Sequence, residues 1–409
     1  MTRMRTCISG IGVVSPVGIG REAFWTAIAE GRSGITELDL FNRSGLRCGA
    51  AGQVRGFDAA ALIGPKGLRY IDRPSRFALA AAQLAMTDAG VDRDRTPPER
   101  VGVVLGTAFG GQSSLEDCNR ERLTDPQYLS PAKFPNTPIN ALSYQIPIRH
   151  QMRLVNTTVS SGMNSGLDAL FYATFILRRC PDGVLVCGGV DELSRNAYYS
   201  CYFRNELAGT SGPELSCPFD RRRNGYVLGE GAAIVVVETR DELDRRGGAP
   251  LAELLGFGSA TGMGPAGFEG RVAAATAAVR GALRDAGLEP ADVDYIAAGA
   301  NGDPELDLIE AQAIVQVFGD RRACVPVGAV KSMTGEAYAA SGGYQIASAV
   351  LALQRGILTR TINLDEPDLA CSVTHAGPTT TASRDVRHVL VSSVDRFGRT
   401  VAVVVGRPR

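Results

Sequence analysis

Few residues of this chain could supply a nucleophile together with a neighbouring base. The 409 residues include nine cysteines but only three histidines, His150, His375 and His388. Cys371 and His375 stand four residues apart, a spacing that would bring a thiol and an imidazole to one face of a helix. Their segment lacks a helical period, so we expect this pair to be structural. His150 should end a strand or turn and His388 should lie in a strand, both without a catalytic role.

Composition excludes several classes of function. Lysine and arginine total 43, and aspartate and glutamate also total 43, so a formal charge of zero gives no electrostatic case for nucleic acid or an anionic membrane. The longest apolar runs, such as Ala232–Val237, are far shorter than the ~20 residues that span a bilayer. We expect no secretory signal, and cysteines without CxxC pairs fit a reduced, cytoplasmic compartment. We expect neither a metal site nor a cofactor.

Short β-branched runs alternate with longer alanine-rich runs along the chain. Interleaved strands and helices predict an α/β architecture with buried sheets. The strand candidates are Thr6–Val14, Val101–Leu105, Gly183–Cys187, Ala232–Glu238, Val293–Ala297 and Val389–Ser393. The helix candidates are Arg76–Ala89, Ser165–Arg178, Arg271–Ala286, Leu306–Val317 and Gly342–Arg355.

Two segments of the chain echo each other. FALAAAQLAMTDAG over Phe77–Gly90 precedes the strand VGVVLG, and AATAAVRGALRDAG over Ala274–Gly287 precedes the strand VDYIAAG. A helix, a glycine stop and a strand in the same order twice indicate an internal duplication. We therefore expect one half over residues 1–250 and a second half over residues 251–409.

Four segments resemble one enzyme family. They read CISGIGVVSPVG near the N-terminus, VSSGMNSGLDAL over Val159–Leu170, CPFDRRRNGYVLGEGAA over Cys217–Ala233 and VKSMTGEAYAASG over Val330–Gly342. Together they resemble the β-ketoacyl synthases, and the resemblance runs over essentially the whole chain. It implies the thiolase fold, in which two similar α/β halves stack as five layers, α-β-α-β-α. That agrees with the duplication found from the echo.

A decarboxylating condensation needs a thiolate to carry the acyl chain, donors for the charge that develops as CO2 leaves, and a helix N-terminus that lowers the pKa of the thiol. The resemblance assigns these groups to three positions. The family's cysteine corresponds to Met163, its first histidine to Gly299, and its second histidine, which follows KSMTG, to Glu336. A thioether cannot form a thioester. We therefore expect no condensation chemistry here.

Two further motif residues are retained. Lys331 is the lysine of KSMTG, and Glu310 is an acid on the helix after the first histidine position. Without the histidines, we expect both residues to hold structure rather than perform chemistry. Met163 is most simply an apolar filler of the vacated pocket.

This pattern is similar to the chain length factors, also called ketosynthase β, of type II polyketide synthases. NGDPELDLIEAQAIVQVFG over Asn301–Gly319 and QIPIRHQMR over Gln145–Arg153 carry that resemblance. It implies a non-catalytic subunit that forms a heterodimer with an active ketosynthase (ketosynthase α), to which an acyl carrier protein delivers malonyl and acyl groups. The acyl chain on the partner's cysteine would grow into a tunnel at the subunit interface, shaped in part by this chain.

The tunnel positions implied by the resemblance follow a turn of sequence FGG. Gln112, Leu115 and Asn119 would share one helix face, and none is aromatic, which predicts a more open or more polar gate. Phe109 and Phe134 are secondary candidates. An ordinary amphipathic surface helix would show the same spacing.

The family's C-terminal loop, G-F-G-G-T-N, reads RFGRT here. Phe397 keeps its place, but Arg396 and Arg399 replace glycines. Glycine permits positive φ and close approach that arginine does not. Because this loop gates the active site in active synthases, its change supports a retired site.

Two alternatives stay open, and with them the question of whether the chain is itself an enzyme. A free-standing thiolase-fold acyltransferase or hydrolase would need a relocated nucleophile, for which Ser160, Ser161 and Ser165 lie near Met163 without an evident histidine base. The chain could also be a homodimeric acyl-binding protein. The mass of the chain alone, compared with its mass when co-expressed with a ketosynthase, separates these cases.

Overall fold

The computed structural model describes residues 4–92, 95–128, 130–262, 267–377 and 385–409. The strands are β1 (Thr6–Ser15), β2 (Gly18–Ile19), β3 (Ile35–Glu37), β4 (Ala50–Gly52), β5 (Val101–Gly106), β6 (Asn156–Val159), β7 (Val184–Asp191), β8 (Gly231–Thr239), β9 (Ala252–Thr261), β10 (Tyr295–Ala297), β11 (Val327–Gly328), β12 (His388–Val394) and β13 (Arg399–Gly406). The α-helices are α1 (Arg21–Glu30), α2 (Ala59–Ile63), α3 (Arg73–Asp88), α4 (Gln112–Thr124), α5 (Ala141–His150), α6 (Ser165–Leu177), α7 (Arg195–Phe203), α8 (Arg240–Arg245), α9 (Gly267–Ala286), α10 (Pro304–Phe318), α11 (Lys331–Thr334) and α12 (Ala339–Arg355).

The main sheet repeats one strand order twice. The N-terminal half runs β1-β8-β7-β5-β6 and the C-terminal half runs β9-β13-β12-β10-β11. In each half the first two pairings are antiparallel and the last two are parallel. The halves join where β1 pairs with β9. The proposed division between residues 250 and 251 falls in the loop from α8 to β9.

The duplication extends to single hydrogen bonds. The Asp88 carboxylate, at the end of α3, accepts the N–H of Ile11 at 2.9 Å. The Asp285 carboxylate, near the end of α9, accepts the N–H of Phe257 at the same distance. These are the aspartates of the two DAG echoes, and each holds its helix to the first strand of its own half.

Each of these helices also lies close against a glycine of that strand. A Cβ on Gly12 would lie 1.9 Å from the carbonyl oxygen of Ala81, and a Cβ on Gly258 would lie 2.0 Å from that of Ala278. No real side chain tolerates such a contact. Glycine is therefore required at both positions for the outer helices to reach the sheet.

Helices cover both faces of each half-sheet. The helices α3 and α5 pack on the N-terminal half, α9 and α10 pack on the C-terminal half, and α6 and α12 lie between the halves and contact each other. The central helix α12 is buried from Ala339 to Leu353. These five layers confirm the predicted thiolase fold.

Two expectations for histidines had different outcomes. His388 opens β12, as predicted, with Nδ1 2.9 Å from the carbonyl oxygen of Asp292. The expected strand or turn end at His150 is wrong, because His150 is the last residue of α5. Pro147 lies inside this helix, where proline is normally unfavourable, and burial of Ile146 in the N-terminal core stabilises the helix.

Among the described residues, no helix combines the length and the apolar character that crossing a membrane would require. In the same part of the chain, no group of three His, Cys, Asp or Glu side chains is placed to hold a metal ion.

Candidate functional site

Met163 lies where the chain enters the central helix α6. It sits in a single 3-10 turn, Gly162–Asn164, and its side chain is only 4% exposed within an apolar cluster. A nucleophile at this place would benefit from the helix N-terminus. The thioether has no proton to lose, so the side chain fills space instead.

The backbone at Met163 faces a buried acid. Oδ2 of Asp395, at the end of β12, accepts the N–H of Met163 at 2.8 Å, and Oδ1 accepts the N–H of Phe397 at 2.6 Å. Asp395 is 1% exposed. Burial raises the pKa of its carboxyl above the ordinary value, while the two N–H donors act in the opposite direction.

Gly299 follows β10, and no side chain fits at its position. A Cβ built there would lie 2.7 Å from the carbonyl oxygen of Ser392 and 2.7 Å from Cα of Ser393. Its N–H donates to Oε1 of Glu310 at 2.9 Å. A histidine could therefore occupy this position only if the neighbouring backbone of β12 moved.

Glu336 follows α11 and forms a buried ion pair. Its Oε2 lies 2.8 Å from Nζ of Lys331 and accepts Nδ2 of Asn301 at 2.9 Å. Its Oε1 accepts the N–H of Tyr338 and the hydroxyl of Ser341, both at 2.9 Å. Both oxygens are thus occupied, and the charge of Lys331 is compensated inside the protein.

Glu310, on α10, completes the set of retained residues. It is 2% exposed and accepts the N–H of Gly299 and the hydroxyl of Ser392. Burial raises the pKa of Glu310 to about 7, while these hydrogen bonds oppose the shift. Gly299, Glu310, Lys331 and Glu336 therefore lie close together near the carboxyl ends of β10 and β12, and Asp395 links this group to the backbone of Met163.

The two arginines of the loop RFGRT form ion pairs that hold the loop in place. Arg396 pairs with Asp303 and, at 3.4 Å, with Glu206, while Arg399 pairs with Asp168 on α6. Phe397 is 67% exposed. These contacts replace the flexibility that glycines would give this loop.

The three serines near Met163 bond to a carboxylate or to the backbone. Ser161 donates to Asp168, Ser165 donates to the carbonyl oxygen of Gly162 at 2.7 Å, and Ser160 contacts a backbone oxygen at 3.5 Å. Asp168 is itself ion-paired with Arg399. This arrangement supplies no imidazole base to any of the three hydroxyls.

Cys371 and His375 lie apart from this site, in the C-terminal core. Together they line a cavity of about 540 Å³ near the loop after α10. Burial raises the pKa of Cys371 to about 12 and lowers that of His375 to about 4. With its pKa raised, the thiol of Cys371 is neutral at neutral pH and is not an activated nucleophile.

The tunnel candidates divide into two groups. Phe109 packs in the cluster that contains Met163, and Gln112 donates to the carbonyl oxygen of Phe109 at 3.1 Å. Leu115 and Asn119, further along α4, and Phe134 are exposed on the surface of the single chain. Phe109 thus lies beside the buried site, half-buried Gln112 begins α4 next to it, and the other three candidates lie on a surface that a partner could cover.

Aromatic rings fill the site, and two of them, Tyr226 and Tyr338, are not among the candidates from the sequence. The rings of Phe109 and Tyr338 meet edge to face with centroids 4.7 Å apart, and Tyr226 contacts Tyr338 on its other side. The buried carboxylate of Asp191, at the end of β7, accepts the N–H groups of Phe109 and Ala339 and so holds both segments in place.

Asp395 and Tyr338 are the main residues that the sequence analysis missed. Asp395 directly precedes the loop RFGRT, and Tyr338 lies within the motif VKSMTGEAYAASG, two residues after Glu336. The signal was an acid and an aromatic ring beside motifs whose catalytic groups are absent. In chemical terms, the site holds ion pairs and rings packed around a thioether.

Comparison with known proteins identifies the family. Residues 4–242 match the β-ketoacyl synthase N-terminal domain and residues 251–365 match its C-terminal domain. Granaticin polyketide putative beta-ketoacyl synthase 1 of Streptomyces violaceoruber is 33% identical, with 100% of this chain and 99% of the relative aligned.

Two solved structures are also similar. The ishigamide ketosynthase/chain length factor has a TM-score of 0.91 at 28% identity and covers 100% of both chains. The complex AntDE:AntF, a type II PKS acyl-carrier protein with its ketosynthase bound to the hexaketide, has a TM-score of 0.89 at 26% identity over 99% of this chain and 100% of that chain. From its two domain matches and its full-length relatives, the chain belongs to the β-ketoacyl synthase family.

Proposed function

We propose that this chain is a non-catalytic chain length factor that pairs with an active ketosynthase in type II polyketide biosynthesis. The observation that carries the proposal is the state of the three catalytic positions. Met163 offers a thioether, Gly299 leaves no room for a side chain, and Glu336 is ion-paired with Lys331. A site that lacks its nucleophile and both imidazoles cannot carry an acyl group or stabilise the charge of the transition state.

A partner subunit is supported by the surface of the N-terminal half. Strand β6 ends the sheet and pairs only with β5 among the described residues, so one edge of β6 is open. Beside it, α6 exposes Phe171, Tyr172 and Phe175, each at 45–47%. An open strand edge next to an exposed aromatic face is typical of a surface that a second subunit covers.

The proposed tunnel uses the exposed face of α4. Leu115 and Asn119 lie on this face, Gln112 begins the helix, and the 3-10 turn that starts at Phe134 packs against the same helix. Only Cys118 of α4 is buried in the single chain. With a partner in place, these side chains would line the space into which the partner's acyl chain grows, and their size would limit its length.

The acyl groups would arrive on a carrier protein. One of the solved relatives was captured with a type II acyl carrier protein and its hexaketide-bound ketosynthase. By analogy, malonyl and acyl groups would reach the active subunit of the heterodimer on such a carrier. This chain would contribute to the wall of the reaction chamber and perform no bond-making step.

The competing function is a free-standing acyltransferase or hydrolase with a serine nucleophile. The contact between Ser161 and Asp168 is its best support, since a carboxylate can orient or deprotonate a hydroxyl. Burial raises the pKa of Asp168, but Arg399 pairs with the same carboxylate and opposes this shift. No other described contact gives Ser161 a base, so the non-catalytic role is favoured.

The test separates the two subunits of the complex. The chain is purified with a type II ketosynthase and supplied with radiolabelled malonyl and acyl carrier protein. We expect label and CO2 release with the intact partner, and neither when the partner's nucleophilic cysteine is replaced by alanine. Label on this chain, or CO2 release from the complex with the alanine variant, would overturn the proposal in favour of a relocated nucleophile.

A further inference from the structure

A buried carboxylate, that of Asp395, lies beside Met163 and accepts two backbone N–H groups. The two N–H groups that Asp395 accepts come from different segments, the turn before α6 and the loop after β12. One of them belongs to the residue at the nucleophile position. Two backbone N–H groups that converge beside a nucleophile form the donor pair that stabilises an oxyanion in acyl transfer.

Gly162 packs directly against this carboxylate. A Cβ on Gly162, whose φ is +81°, would lie 2.6 Å from Oδ2 of Asp395. The two carboxylate oxygens each take one of the converging donors, so both donors are used. A substrate carbonyl could reach the pair only if Asp395 moved away.

The same residue anchors the loop that follows it. The N–H of Asp395 donates to the carbonyl oxygen of Arg399 at 2.7 Å, and the N–H of Gly398 donates back to the carbonyl oxygen of Asp395 at 3.0 Å, which closes a tight turn. Nδ2 of Asn164 also donates to the carbonyl oxygen of Arg399 at 3.1 Å. With the ion pairs of Arg396 and Arg399, these bonds tie the loop to α6 and α10.

From these contacts we infer that Asp395 is a resident anion that fills the oxyanion site and locks residues 395–399 shut. The loop then works as a fixed clasp between the two halves and not as a gate. This inference deepens the non-catalytic part of the proposed function, on which it rests. It adds a separate barrier to chemistry beyond the missing nucleophile and imidazoles.

The test introduces a cysteine at position 163 as a reporter thiol. The chain is studied in its complex with the ketosynthase, and the nucleophilic cysteine of the ketosynthase is replaced by alanine. Met163→Cys is compared with Met163→Cys/Asp395→Ala by mass spectrometry of the peptide that contains position 163. One reagent is p-nitrophenyl acetate: the thiolate attacks the acetyl carbon, the ester bond breaks and p-nitrophenolate leaves. The other is methyl methanethiosulfonate, which forms a disulfide and expels methanesulfinate without any oxyanion.

Removal of Asp395 should raise acetylation at least ~10-fold more than it raises disulfide formation, because oxyanion donors are worth ~10²–10³ in rate. The ratio of the two rates cancels the effect of the lost charge on the thiol. Met163→Cys/Asp385→Ala, which removes an exposed acid, should match Met163→Cys alone. If Asp395→Ala accelerates both reactions equally, or accelerates neither of them, the inference is overturned.

A second measurement does not depend on the folding of the Met163→Cys variants. Hydrogen exchange of the peptides around residues 163 and 397 should rise at least ~10-fold in Asp395→Asn with Met163 intact, because an amide can accept only one of the two N–H groups well. Unchanged exchange would also overturn the inference. The labelling test of the proposed function uses the chain with Asp395 and Met163 unaltered. The proposed function and the present inference can therefore fail independently.

Discussion

Nζ of Lys331 lies 2.8 Å from Oε2 of Glu336, with both side chains at 2% exposure or less. The two residues stand five positions apart, on either side of the turn that ends α11. Position 336 is where the family resemblance places a histidine. An acid there neutralises the buried lysine and accepts three further hydrogen bonds, so the vacated position has become structural.

Replacing Lys331 with methionine should destabilise the protein by ~3–5 kcal/mol, because it leaves a buried carboxylate without its counter-charge. The free energy of unfolding, measured in urea, checks this value. Lys331→Met/Glu336→Gln should recover much of the loss, since no net charge then remains buried. A double variant as unstable as the single one would mean that the pair is not coupled.

Met163→Cys alone should not restore condensation. The new thiol would lack both imidazoles, and loss of even one donor group costs ~10²–10³ in rate. Adding Gly299→His should reduce folding yield rather than restore activity, because its Cβ would lie 2.7 Å from backbone atoms of β12. CO2 release from malonyl carrier protein, with the partner's cysteine replaced by alanine, measures activity. Turnover by either variant would contradict this account.

Leu115→Trp should shorten the products made by the complex, because a larger side chain on the exposed face of α4 would narrow the proposed tunnel. Gln112→Trp should act in the same direction. Asp117→Trp, about half a helical turn away from Leu115, is the matched control and should leave product length unchanged. Mass spectrometry of the released chains gives the readout. Unchanged length with intact assembly would remove these positions from the tunnel.

Asn156→Pro should weaken assembly with the ketosynthase. The carbonyl oxygens of Val155 and Val159 accept bonds from the β5 side, so the alternate residues Asn156 and Thr158 direct their backbone groups to the open edge of β6. Proline removes one of the N–H groups at that edge. Asn156→Ala, which keeps the N–H, should assemble normally in co-purification. Equal assembly of both variants would place the interface elsewhere.

Glu310→Gln should change how stability depends on pH. The pKa of Glu310 is about 7 in the folded protein, compared with about 4.5 in the unfolded chain. Between these two pH values Glu310 is therefore protonated in the folded state and ionised in the unfolded state. Its contribution to the free energy of unfolding therefore falls as pH rises through that window. The stability of Glu310→Gln relative to that of the natural chain should therefore increase from pH 5 to pH 8. Glu269→Gln, which changes an exposed residue of α9, should show no such increase. If the difference in the free energy of unfolding between Glu310→Gln and the natural chain does not change with pH, burial does not raise the pKa of Glu310.

Local pattern was sufficient for much of the fold. The periodicity of apolar residues located α3, α6, α9, α10 and α12 to within a few residues, and the two DAG echoes corresponded to matching bonds from Asp88 and Asp285. The sequence analysis did not predict α5, which contains Pro147; burial against the N-terminal core outweighs the unfavourable helix propensity of that residue. Tertiary packing can override a single residue's propensity.

The residue types alone determined what the site lacks, since a thioether, a glycine and a carboxylate cannot replace a thiol and two imidazoles. Only the tertiary structure decided what fills the site instead. Asp395 meets Met163 across 232 positions of sequence, and the crowding at Gly299 comes from the backbone of β12. Secondary structure follows from neighbours along the chain, but such contacts exist only once segments that are distant in the sequence pack together, so no local pattern records them.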